Sequence, residues 1–144
     1  MKKPFKEVTS PVMTCTSPIE AKKLLKAWKK VLGLSDWNIV LFLVDSLNDG
    51  DLGESRVSYI NKSGTISISS HKQEEGKTFL ECFEETLVHE LLHFKLPAQT
   101  IIKCNDDMHN YFYEVEHQAL ESLAHGYICA KYNLPPKWDW TKEI

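Results

Sequence analysis

The sequence predicts an α+β domain with its helices gathered around a small sheet. Three observations point there. The elements run in the order helix, three strands, helix, helix. Apolar residues recur at spacings of three and four in the helical segments, whereas the strand segments are short runs bounded by polar turns. The 144 residues, 42% hydrophobic and 26% charged, suffice for one ordinary soluble domain with its own core.

Residues 1–16 show no periodicity and read as a loose arm, leaving 17–144 as the single domain. The first helix has clear start signals. Ser17 can cap, Pro18 suits the first helical position and Glu20 completes a capping box. Ala21, Leu24, Leu25, Trp28, Val31 and Leu32 follow at helical spacing until Gly33 ends the run. Its lysines (Lys22, Lys23, Lys26, Lys29, Lys30) read as a solvated face, since no aromatic residues interleave them. Trp37 to Val44 is a nearly unbroken apolar run, as in a strand covered on both faces. Val57 to Ile60 and Thr65 to Ser70 read as further strands, joined by a hairpin loop at Asn61–Gly64. Ile66 and Ile68 alternate with serines, which gives that strand a wet face and a place at the sheet edge. A helix is expected over Thr78 to Leu96, stopped by Pro97, and a last one from Asp107 to Tyr132, closed by Pro135-Pro136.

Several classes drop out. With 17 Lys and Arg against 20 Asp and Glu, nothing electrostatic calls for nucleic acid or an anionic membrane. No apolar run reaches membrane-span length, and the lysines near the N-terminus are not followed by a signal-peptide core. Cys15, Cys82, Cys104 and Cys129 are scattered, as free thiols in a reducing cytoplasm would be. A cytoplasmic protein is expected.

The chemistry concentrates in His89-Glu90-Leu91-Leu92-His93. Two histidines four apart on a helix leave the same face, so both imidazoles can meet one ion. Neutral imidazole suits Zn2+, and two such ligands leave room for a third ligand and a water. Glu90 can then act as general base on that water. The last helix offers Glu114, Glu116, His117, Glu121 and His125 as a third ligand. Its apolar positions (Phe112, Val115, Ala119, Leu120, Leu123, Tyr127) centre on a stripe containing residue 116. Glu116 is therefore expected to point inward, where an ion would satisfy its charge. His117 and Glu121 stay open as alternatives, while Glu114 and His125 read as solvated.

Together these residues resemble the zincin metallopeptidases, of the gluzincin type. Thr86 to His93, and Glu116 to Ala124 in the following helix, are similar to segments of small zincin-like proteins of phages and mobile elements. Leu32 to Trp37 adds a weaker likeness. The resemblance implies a minimal zincin-like fold: an N-terminal helix, a three-stranded twisted sheet and two packed active-site helices. It implies zinc on His89, His93 and Glu116, with Glu90 as general base of an endopeptidase. A peptide or protein substrate would lie extended along the edge strand, for which Thr65 to Ser70 is the candidate. One departure stands out: many gluzincins carry an aspartate four residues after the glutamate ligand, and here that position is Leu120. His109, Tyr111, Tyr113 and His117 are candidate oxyanion donors.

Three other functions share these residues. One is a zinc-bearing interaction module without turnover. Another is a hydrolase of a non-peptide bond. The third is a SprT-like protein, whose third ligand is a histidine. The Asp45–Asp51 loop lacks the ligands of a calcium loop and reads as an acidic turn. His71 and the Trp138–Trp140 tail carry no assigned role.

Overall fold

The computed structural model describes residues 18–45, 47–48, 51–69, 83–96 and 106–133, the first four of the last stretch by backbone alone. The expected arm, Ser17, His71, Cys15, Cys82, Cys104, the 78–82 opening of the predicted helix and the aromatic tail lie outside the described residues. So do Ser70 and all three helix-stopping prolines.

Three helices and a three-stranded mixed sheet make up an α+β fold. Helix α1 spans Pro18–Val31 and buries Ala21, Leu25 and Trp28. Its end is a Schellman turn: Gly33 takes φ +71°, its N–H reaches Lys30 O at 3.3 Å, and Leu34 N–H reaches Lys29 O at 2.7 Å. A Cβ at that φ would be strained, so glycine fits the position. Leu34, just past the turn, is buried and carries the chain toward the sheet.

Strands β1 (Asn38–Val44), β2 (Gly53–Ser58) and β3 (Ser63–Ser69) lie in the order β1-β3-β2. β3 runs parallel to β1, with Leu41 opposite Ile66, and antiparallel to β2, with Ser55 opposite Ile66. The expectation that Thr65–Ser70 forms the edge is therefore corrected: β3 is the central strand, and β1 and β2 are the edges. Alternating serines report a wet face, which lies perpendicular to the sheet, whereas an edge lies within its plane; the first does not imply the second. β1 is likewise covered on one face rather than two, with Ile39 buried but Val40 46% and Phe42 50% exposed.

Helix α2 (Phe83–Leu92) and helix α3 (Asp106–Tyr132) pack against each other, and α2 also lies on β2 and β3. Leu87, Val88 and Leu91 meet Ile66, Ile68, Leu120, Ala124 and Ile128 in one core cluster. Two polar links bridge the helices at the far end from the histidine motif. The buried Glu84 carboxylate accepts from Trp28 Nε1 at 2.8 Å and from Lys131 and Tyr132. One residue on, Glu85 Oε1 lies 3.1 Å from His125 Nδ1, and Cys129 Sγ lies 3.6 Å from His125 Nε2. His125, expected to be solvated, is only 4% exposed because Glu85 gives its ring a buried partner. Among the described residues no helix is long and apolar enough to cross a membrane.

Candidate metal centre

α2 carries His89 on its last turn, and His93 follows in the turn just past its end at Leu92. Both rings emerge from one face, with centroids 5.2 Å apart. Across from them, α3 presents His117, whose ring lies 4.7 Å from that of His89. One donor atom from each of His89, His93 and His117 lies within 4.8 Å of the other two. The donor set fits an ion that favours nitrogen ligands, such as zinc. A further observation supports the fit. His117 Nε2 faces Glu121 Oε1 at 3.3 Å, while Nδ1 is buried and has no hydrogen-bond partner among the described residues. A carboxylate on one ring nitrogen, leaving the other for an ion, is the usual support for a metal-binding histidine.

His89, Glu90, His93, Glu116 and His117 all line one cleft of about 300 Å³. Glu121 is exposed and meets His117 at the rim of the site. Glu116 reaches the cleft, but the three-donor convergence runs through its neighbour. The burial of α3 explains why both residues face this way. Its buried line is Leu120, Ala124 and Ile128, and residues 116 and 117 continue it one turn earlier, on either side. Val115, Leu123 and Tyr127, which the sequence estimate counted as apolar, are exposed. Of the oxyanion candidates, Tyr113 lines the cleft and stacks on His117, with centroids 5.8 Å apart; Tyr111 is exposed, and the side chain of His109 is outside the described residues.

Burial sets the charge states. Loss of water, reinforced by the neighbouring imidazoles, holds His89 at about 4. Burial and His117 do the same for His93, also at about 4. Both rings are thus neutral, as ligands must be, well below neutral pH. Glu90, 6% exposed, is pushed up to about 7, mainly by burial; Asp51 and Glu54 add to the rise and a Ser55 hydrogen bond opposes it. A carboxyl near 7 is matched to taking and returning a proton at neutral pH.

These shifts fix how the metal-free protein responds to pH. His89 and His93 titrate lower when folded, at about 4 against 6.5, so each adds stability as pH rises across that window. Glu90 titrates higher when folded, at about 7 against 4.5, so it subtracts stability as pH rises. Two groups oppose one between pH 4.5 and 6.5. The unfolding free energy from urea titration is expected to rise from pH 4.5 to 6.5, by about 1 kcal/mol per pH unit after solvent screening. A flat or inverted profile would contradict the assigned burial.

The sheet supplies a wall. Ser69 N–H donates to Leu52 O at 2.9 Å, which sets the phase of the β2–β3 ladder. Glu54, Arg56 and Ser58 therefore bond inward to β3, while Gly53, Ser55 and Val57 turn their backbone groups to the open edge. Those three line the cleft. Strand β2 was legible only in part, because Gly53-Glu54-Ser55-Arg56 has no apolar alternation to mark it. Gly53 is required by close approach: a Cβ there would sit 2.7 Å from Thr86 Cγ2 and 3.0 Å from Glu90 Cγ and Oε1. Gly53→Ala is expected to cost about 1–3 kcal/mol in thermal stability and to displace Glu90, read as a lowered melting temperature. No family model, curated protein or solved structure matches this chain.

Proposed function

We propose that the chain is a zinc-dependent endopeptidase, with His89, His93 and His117 as metal ligands and Glu90 as general base. The observation that carries this reading is the convergence of three imidazoles within 4.8 Å beside a buried carboxylate. The proposal gives the third position to His117 in place of Glu116. It thereby adopts the three-histidine pattern of the SprT-like alternative. Glu121, four residues after His117, also fills the role for which Leu120 was unsuited after Glu116.

Zinc at such a site supplies Lewis acidity, which makes a water acidic near neutral pH and polarises the carbonyl it attacks. The protein's own groups do the rest. Glu90, near 7, takes the proton from the attacking water and returns it to the departing amine. Ser55 holds the Glu90 carboxylate in place through its hydroxyl. The open edge of β2 pairs with an extended peptide backbone through Gly53, Ser55 and Val57, taking the role first expected of Thr65–Ser70. Tyr113 is the donor best placed to meet charge developing on the carbonyl oxygen.

The test is metal content and peptide cleavage on the same preparation. The protein is expected to hold about one zinc per chain and to cleave quenched peptides until a chelator removes it. Zinc retained without cleavage of any peptide would move the chain to the interaction-module alternative. No zinc under any loading condition would overturn both.

A further inference from the structure

The two ends of the cleft differ in chemistry. At the start of β2, Asp51 and Glu54 line the same cleft as Glu90. Asp51 precedes Gly53 by two residues, so it continues the alternate positions, Gly53 and Ser55, that contact Glu90. Arg56 offsets Glu54 in part, at 3.5 Å, but that pair is exposed and weak. Among the described residues no cation pairs with Asp51, and no Lys or Arg lines the cleft. At the other end the wall is Val57, Tyr59 and Leu96. Tyr59 is fixed there by its hydroxyl, which donates to His93 O at 2.7 Å. From Asp51 to Val57 an extended strand covers about 20 Å, the reach of about six substrate residues.

We infer that the cleft selects peptides with a cationic side chain, Lys or Arg, on one side of the scissile bond and a bulky apolar side chain on the other. This rests on the peptidase reading above. A carboxylate wall with no basic residue attracts cations and repels acidic side chains, an effect that salt screens. The apolar end rewards burial of an aromatic or branched side chain. The strand edge between them reads backbone and is indifferent to sequence, so selection falls to the two ends.

The experiment is a positional library of quenched peptides, each carrying Lys, Glu, Phe or Ser at one position, cleaved by the zinc-loaded protein. Lys is expected to exceed Glu by about tenfold in kcat/KM on one side of the cleaved bond, with Phe preferred on the other. The Lys-to-Glu ratio should shrink as salt rises and invert in Asp51→Lys. A second readout avoids turnover: a labelled Lys-containing peptide should bind Glu90→Gln protein about tenfold tighter than its Glu-containing counterpart. Cleavage without charge preference, or a preference for Glu, overturns this inference and leaves the peptidase reading standing. No cleavage of any member overturns both.

Discussion

Glu90→Gln is expected to keep zinc bound while lowering kcat by about 100- to 10,000-fold, the usual contribution of a positioned general base. Several features make the variant a clean probe. Glutamine has the same shape, so the space between Thr86 and Gly53 stays filled, and its carbonyl oxygen can still accept from Ser55. No ligand is removed, because the convergent donors are His89, His93 and His117. Stability should move the other way from activity. Above pH 7 the wild-type carboxylate is ionised although buried, a cost the neutral amide does not carry. Glu90→Gln should therefore melt higher than wild type at pH 8 and lose that advantage near pH 5. Turnover within about fivefold of wild type would remove Glu90 from the base role, whatever the metal does.

The second large effect concerns the third ligand. His117→Gln is expected to weaken zinc binding by more than about 100-fold, beyond what is typical for loss of a supporting group. Glu116→Gln should retain the metal, and Glu121→Gln should fall between, at about 10- to 100-fold. The ordering follows from geometry. His117 brings a donor within 4.8 Å of the other two, and Glu121 meets His117 Nε2 at the rim of the site. Glu116 lines the same cleft outside that convergence. Isothermal titration of the three variants reads the order directly. If Glu116→Gln releases zinc and His117→Gln keeps it, the third position passes to the carboxylate.

What the sequence could carry depended on how local each signal was. The glycine stop of α1 is set by a few neighbouring residues, and it was legible. The His89–His93 pair was legible for the same reason, since a spacing of four on a helix fixes a shared face. Choosing between Glu116 and His117 was not. Adjacent helical positions differ by about 100°, and the apolar positions weighed on α3 left out Ala124 and Ile128, which are fully buried and lie on the side of residue 117. His125 was misjudged because its partner, Glu85, lies on another helix and leaves no trace in the local pattern. The place of β3 in the sheet had the same character. Strand order is a matter of which strands find each other, and β3 sits between a parallel and an antiparallel neighbour that no single segment specifies.

The fastening of α3 to α2 has a mechanical consequence. Lys131 and Tyr132 hold Glu84 at the far end, His125 holds Glu85 beside it, and the near end meets α2 through His117 opposite His89. If the three histidines bind zinc as proposed, only the near end would depend on an ion. Chelation should therefore loosen the helix from one side, with amide protons around 110–118 exchanging faster while those around 120–131 stay protected. The protein would behave as a clip with a permanent hinge, whose jaw a bound metal would close.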